Sequence, residues 1–114
     1  MLDADIPNKN LDESLLKCSF GDLDLELEVP AGVWNPTPNG ILLGETLEQM
    51  DFTNERVLEL GTGCGVHAVV LGLRGASELV LTEVDQSILG HAERNLKKYG
   101  ISCPIDLLVA DWIQ

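Results

Sequence analysis

Residues 57–70 read VLELGTGCGVHAVV and place three glycines directly after a short apolar run. Residues 57–60 predict a short buried strand, and residues 64–74 predict a helix that begins at the glycines. Glycine adopts backbone dihedrals that other residues resist, and its missing side chain lets a ligand approach the backbone. The helix start adds unpaired N–H groups and partial positive charge. The stretch therefore predicts a site for a nucleotide-like ligand, although tight packing of strand on helix would also explain the glycines.

Strands and helices continue to alternate after this stretch. Residues 78–85 predict a second strand, residues 86–99 a second helix that ends at Gly100, and residues 104–112 a third strand. Short links between strand, helix and strand favour right-handed crossovers and parallel strands. The predicted fold class is therefore α/β, with a half-sheet of parallel strands in the order 3-2-1 and flanking helices.

A β-hairpin is predicted on the amino-terminal side of this unit. Apolar and acidic residues alternate from Leu23 to Val29, which is typical of a half-buried strand with a solvated acidic face. Residues 16–20 alternate too, and Gly21 and Asp22 can turn the chain between the two strands.

A loop and a further helix are predicted between the hairpin and the glycines. Residues 31–40 are rich in Pro, Gly and Asn, and Thr37 can cap a helix that has Pro38 at its first position. The helix is expected to run to about residue 50. Its predicted apolar stripe consists of Ile41, Leu42, Leu47 and Met50.

Composition limits the partners of this chain. The net charge is −12, with 19 acidic against 7 basic residues, so the surface repels nucleic-acid backbones and either attracts basic proteins or serves solubility alone. Three cysteines at wide spacing form neither a zinc pattern nor a disulfide framework. No apolar run spans a bilayer and no leader is recognisable, so a cytoplasmic protein without membrane contact is expected.

Polar groups are predicted at the carboxyl ends of all three strands, where open α/β sheets bind ligands. Glu83 ends the second strand about 20 residues after the glycines, where a carboxylate can accept both ribose hydroxyls. Its neighbour Val84 can pack on a flat base. Asp111 ends the third strand beside Trp112.

The spacing of the glycines separates two kinds of ligand. A dinucleotide fingerprint has the pattern G-x-G-x-x-G, whereas here the third glycine comes one residue early and Val66 takes its place. Glu59 precedes the first glycine by two residues, and a carboxylate there opposes a pyrophosphate. It suits a ligand with a cationic amino group and a sulfonium. A nucleotide-dependent oxidoreductase is therefore disfavoured.

The segments ELGTGCG, LVLTEVD and LLVADW together resemble the motifs of class I S-adenosylmethionine-dependent methyltransferases. The resemblance covers roughly residues 30–112, with common family spacing between Glu59 and Glu83. It implies a Rossmann-like fold and S-adenosyl-L-methionine as the cofactor. The cofactor-binding residues that it implies are Glu59, Gly61, Thr62, Gly63, Gly65, Glu83, Val84, Asp111 and Trp112.

The resemblance also implies individual roles. The glycine loop would pass along the methionine part of the cofactor with Glu59 nearby, and Glu83 would hold the ribose. Val84 would flank the adenine, and Asp111 would accept a hydrogen bond from the adenine amino group. The catalytic residues stay unknown.

The methyl acceptor is suggested only by the segment before the glycines. NPTPNGILLGETLE is similar to amino-group methyltransferases, and GVWN with the following ILL and LE resembles the protein-lysine branch. A protein side chain is therefore the expected acceptor and RNA the lesser alternative. Trp34 and Asn39 are candidate lid contacts, or else an aromatic that covers the core and an amide at the helix start.

Members of the resembled family continue with a fourth strand that carries the catalytic motif. The expected organisation is a flexible lead-in over residues 1–13 and one cofactor-binding domain over residues 14–114, truncated after the third strand. One apolar face of the sheet would then be uncovered, apart from any shielding by the hairpin. Self-association or a missing carboxyl-terminal half follows. The alternative function is a catalytically incomplete module that binds the cofactor or self-associates.

Two further residues of the glycine region are open to interpretation. His67 can face the site as a base, but a histidine on the helix surface is the preferred interpretation. Cys64 is interpreted as a residue chosen for size and not as a nucleophile.

Overall fold

The computed structural model describes residues 14–30 and 38–110, and the amino-terminal hairpin forms as predicted. Strand β1 (Ser14–Phe20) pairs antiparallel with β2 (Leu23–Val29), and Gly21 between them has a φ of 58°. The apolar residues of β2 alternate inward, which agrees with the predicted period of two.

The glycine region lies in a parallel sheet of three strands. The strands are β3 (Arg56–Glu59), β4 (Glu78–Glu83) and β5 (Ile105–Val109), and they lie in the order β3-β4-β5. The helices between them are α2 (Val66–Leu73) and α3 (Gln86–Lys98). The predicted half-sheet in the order 3-2-1 is confirmed. Its strands are parallel because each returns through a helix to the same edge.

Several predictions fall on residues outside the described part of the chain. These are the lead-in over residues 1–13, the lid candidate Trp34, the capping residue Thr37, and the cofactor candidates Asp111 and Trp112. The assignment of residues 14–114 to a single domain also stays a prediction.

The hairpin packs on the helices and not on the sheet. It contacts α3 and the first helix, α1 (Pro38–Glu48), and α3 in turn packs on β4 and β5 of the sheet. The ring of Phe20 lies so near α1 that a Cβ at Gly44 would stand 2.5 Å from its Cε1 atom. The suggestion that the hairpin shields the open sheet face is therefore wrong.

Helix α1 begins at Pro38 as predicted, but of its predicted apolar stripe only Leu47 packs against the core. Leu42 and Met50 are exposed by 62% and 48%, whereas the buried positions are Gly44 and Glu48. The helix meets Phe20 at a glycine, and Glu48 binds Arg74 of the α2 carboxyl end at 2.7 Å. Steric fit at Gly44, the ion pair of Glu48 and the half-buried Leu47, which packs against the core, therefore orient α1.

The two faces of the sheet differ sharply. Leu79 and Leu81 lie on the face that α2 and α3 cover, and both are fully buried. On the opposite face Leu58 and Leu108 are exposed by 57% and 47%. The prediction that β3 is buried is thus wrong for one of its faces, while the expected uncovered apolar face is present among the described residues. In the same part of the chain, no helix is long and apolar enough to cross a membrane.

Candidate functional site

The glycine loop turns sharply between β3 and α2. Gly61, Gly63 and Gly65 have φ angles of 69°, 58° and 87°, all in the left-handed region that favours glycine. A Cβ at Gly65 would lie 3.2 Å from the Cα of Ala92, so this glycine lets α2 approach α3. A Cβ at Gly61 would meet no atom within 4 Å. Packing therefore explains Gly65, and it does not explain the bare backbone at Gly61.

The end of β4 fixes the loop through Thr82. Its hydroxyl accepts from the N–H of Gly61 at 3.2 Å and donates to the carbonyl of Glu59 at 3.3 Å. Its own carbonyl accepts from the N–H of Thr62 at 2.8 Å. Thr82 was not among the predicted site residues. Its sequence signal is a threonine within an apolar strand, and the structure buries it fully.

Glu83 joins the end of the second parallel strand to the glycine loop. One carboxylate oxygen accepts from the N–H of Gly63 at 3.0 Å, and the other accepts from the N–H of Val84 at 3.0 Å. A carboxylate has about four lone-pair positions, so both oxygens can accept further hydrogen bonds. Val84 is exposed by 60% beside it. The structure therefore brings these predicted residues together at one edge of the sheet.

Glu59 lies at the end of β3 on the same edge. Its Oε1 atom accepts from the hydroxyl of Thr62 at 2.7 Å, and its Oε2 atom lies 3.5 Å from Nδ1 of His67. The side chain is only 18% exposed. The carboxylate is thus oriented by two neighbours and held close to the bare backbone at Gly61.

His67 is part of this site, so its interpretation as a surface histidine is wrong. Its side chain is 19% exposed, and Nε2 lies 2.8 Å from the carbonyl oxygen of Gly40 in α1. The hydrogen bond with Glu59 is the main cause that raises the pKa of His67, and burial opposes it. The sequence signal was a single histidine in an otherwise apolar helix.

Cys64 and Asn95 connect the loop to α3. Burial raises the pKa of the Cys64 thiol to about 11, which supports the interpretation that this residue is not a nucleophile. Its carbonyl accepts from Nδ2 of Asn95 at 2.8 Å. Asn95 is buried on α3 and was missed, because its partners lie far away in the sequence.

The arrangement favours a ligand with hydroxyl groups and a cationic end. Glu83 and Glu59 place two carboxylates at the carboxyl edge of the sheet, next to a loop in which Gly61, Gly63 and Gly65 have no side chains. Carboxylates accept from hydroxyl and ammonium groups and repel phosphates. These residues fit an adenosine that carries a methionine end, and they do not fit a pyrophosphate.

Comparison with known proteins identifies related methyltransferases. A family model described as "Lysine methyltransferase" matches residues 29–114. The ribosomal protein L11 methyltransferase of Fusobacterium nucleatum subsp. nucleatum is 34% identical over 65 residues, which are 57% of this chain and 21% of that protein. This chain spans about a fifth of the length of the curated relatives that it matches.

Solved structures show the same fold. The SAM-dependent methyltransferase of Agrobacterium tumefaciens superposes with a TM-score of 0.60 at 21% identity, over 86% of this chain and 33% of that chain. The Pyrococcus abyssi tRNA (uracil-54, C5)-methyltransferase, in complex with S-adenosyl-L-homocysteine, gives a TM-score of 0.60 at 14% identity, over 82% and 24%.

Proposed function

The chain belongs to the lysine methyltransferase family of class I S-adenosylmethionine-dependent methyltransferases, and on this premise we propose that it binds S-adenosyl-L-methionine for methyl transfer to a protein amino group. The observation that carries the proposal is the carboxylate of Glu83, which hydrogen bonds hold beside the open backbone of the glycine loop. Bound cofactor would supply an electrophilic methyl group on its sulfonium.

Four of the described candidates have a role that fits their position. Glu83 would accept from the ribose hydroxyls, and exposed Val84 would flank the adenine. Gly61 would give the methionine part access to the backbone, since a Cβ there meets no neighbour within 4 Å. Glu59 would attract the cationic end of the ligand. The roles of Asp111 and Trp112 stay predictions from the sequence.

A protein acceptor is favoured over RNA. The matching family is described as "Lysine methyltransferase", and the curated relative is named as a methyltransferase of ribosomal protein L11. The net charge of −12 opposes the approach of an RNA backbone and favours a basic protein. A tRNA methyltransferase shares the fold, but at 14% identity that likeness concerns the fold alone. A cytoplasmic location stays a prediction.

The acidic face of the hairpin contributes less to this attraction than its sequence predicts. Glu28 lies 3.4 Å from Arg94, and Glu26 lies 3.8 Å from Lys98, so bases of α3 partly neutralise the strand. Both glutamates stay partly exposed, so the acidic face is solvated as expected but pairs with bases at these two positions. Attraction to a basic substrate would therefore come from the acidic surface as a whole.

Titration calorimetry with S-adenosylhomocysteine tests the proposed site. We expect the intact chain to bind, and we expect Glu83→Gln to weaken binding by about tenfold or more, because hydrogen bonds to a charged group contribute about 1.5–3 kcal/mol. Asp106→Asn is the matched control, because this exposed carboxylate lies on β5 and points to the opposite face. Absence of binding by the unaltered chain would refute the proposed function. Equal binding by both variants would show that Glu83 does not contribute to cofactor binding.

The uncovered sheet face supports a second proposal, that the chain self-associates through it. Leu58 on β3 and Leu108 on β5 expose apolar surface on this face, and the edge strand β3 can also pair with another strand. Analytical ultracentrifugation should show a dimer or larger species. The double change Leu58→Lys and Leu108→Lys should give monomers, whereas Leu42→Lys on α1 should not. A monomeric unaltered chain would contradict the proposal.

A further inference from the structure

We infer that His67 is a positioning residue whose protonated ring competes with the cationic methionine end of the cofactor for the carboxylate of Glu59. The inference rests on the proposed function. The inference adds to that function the release of a proton from the protein when the cofactor binds. The family motif as quoted in this sequence ends at Gly65, so the histidine is a feature of this chain beyond the glycine pattern.

The ring of His67 stands between two acceptors. A carbonyl oxygen can only accept, so Nε2, at 2.8 Å from the oxygen of Gly40, carries a hydrogen. In the neutral ring Nδ1 then directs a lone pair toward Oε2 of Glu59, 3.5 Å away. In the protonated ring Nδ1 donates to that carboxylate. The geometry therefore places the titrating proton at Nδ1, on the side that faces the site.

Among the described residues around the ring of His67, Glu59 is the charged neighbour. Helix α1 contributes the carbonyl of Gly40, and β1 contributes the ring of Phe20, whose centroid lies 6.4 Å away. In the loop, Cys64, whose pKa the charge of Glu59 helps to raise, stays neutral near pH 7 because that pKa is about 11. The hydrogen bond with Glu59 raises the pKa of His67 from its ordinary value, and this direction agrees with the geometry.

Protonation of His67 changes the charge that the site offers to a ligand. With the ring protonated, the charges of His67 and Glu59 cancel, and with the ring neutral the carboxylate presents a full negative charge. A cationic ligand near Glu59 must therefore bind more tightly as the pH rises through the pKa of His67. The pH dependence of folding has the opposite direction, because the ion pair stabilises the fold when the ring is protonated. Because the folded-state pKa is raised, the pair stabilises the fold fully below about pH 6.5, and this contribution disappears as the pH rises through the folded-state pKa.

Calorimetry with S-adenosyl-L-methionine at pH 6 and pH 8, in buffers that differ in ionisation enthalpy, tests the competition. We expect about tenfold tighter binding at pH 8. At pH 6 we expect the protein to release up to about one proton for each ligand that binds. His67→Gln retains a donor for Gly40 and cannot titrate, so both effects should vanish. His91→Gln on α3 is the matched control and should retain both effects. The chain has only these two histidines, so imidazole NMR signals can be assigned with the same variants.

A second measurement does not depend on the ligand. In an NMR titration of the intact chain, Glu59→Gln should lower the pKa of His67. An unchanged pKa in that variant would overturn the inference. Binding without proton release, or with proton release that persists in His67→Gln, would also overturn it and would leave the proposed function intact. Absence of binding at both pH values would refute the proposed function, and the inference would fail with it.

Discussion

Replacement of Asn95 by leucine is expected to lower the free energy of unfolding by about 3–5 kcal/mol. Asn95 is 1% exposed on α3, and its Oδ1 accepts from the N–H of Glu28 at 2.8 Å. Its Nδ2 donates to the carbonyls of Glu28 and Cys64 at 2.9 Å and 2.8 Å. Leucine has a similar volume and makes none of these bonds. It would leave three backbone groups without this partner, and each costs about 1–3 kcal/mol if it stays buried and unpaired.

The same change should loosen the contact between hairpin, helix and glycine loop. Urea denaturation gives the stability loss, and amide hydrogen exchange at Glu28 shows whether the hairpin detaches locally before the sheet unfolds. Glu93→Leu is the matched control. Glu93 lies on the same helix and is exposed, and its Oε1 atom forms an ion pair with Nζ of Lys97 at 3.7 Å. Its replacement should therefore cost less than about 1 kcal/mol of stability. A loss of similar size in both variants would contradict the role given to Asn95.

Local patterns in the sequence predict most of the framework of the site. The apolar run before Gly61 and the acid at Glu83 are each read from a few neighbouring residues. Parallel strands then bring their carboxyl ends to one edge, because the crossover rules leave few other arrangements. Glu83 accordingly reaches Gly63 although 20 residues separate them.

The missed residues are polar groups whose partners are distant in the sequence. Asn95 bonds Glu28 across 67 positions, and His67 bonds Gly40 across 27. Periodicity marks Asn95 as a polar interruption of an apolar helix face, and it does not reveal which backbone groups the side chain will meet. Only the packing of hairpin and α1 against α2 and α3 decides that.

Exposure could not be read from apolar content alone. The leucines of α1 and of the sheet are apolar enough for a core, yet Leu42 is 62% exposed and Leu58 is 57% exposed. A residue is buried only where another element covers it. An apolar run therefore predicts a strand or a helix, while the covered face depends on the arrangement of the other elements.

The second large effect is expected at Gly61, where alanine should weaken cofactor binding by about tenfold to 100-fold. Gly61 has a φ of 69°, and a Cβ there would meet no protein atom within 4 Å. Alanine therefore adds backbone strain of about 1–2 kcal/mol without a clash in the free protein. A ligand that lies against this backbone would meet the new methyl group, and such overpacking costs about 1–3 kcal/mol of binding free energy.

Gly100 provides the control for this experiment. It has a φ of 70°, and a Cβ there also meets no atom within 4 Å, but it follows α3 at the opposite end of the sheet from the glycine loop. Gly61→Ala and Gly100→Ala should lose similar free energy of unfolding, because the backbone strain is the same. Only Gly61→Ala should lose affinity for S-adenosylhomocysteine. If both bind as tightly as the unaltered chain, the cofactor does not touch the backbone at Gly61, and the open glycine has another cause.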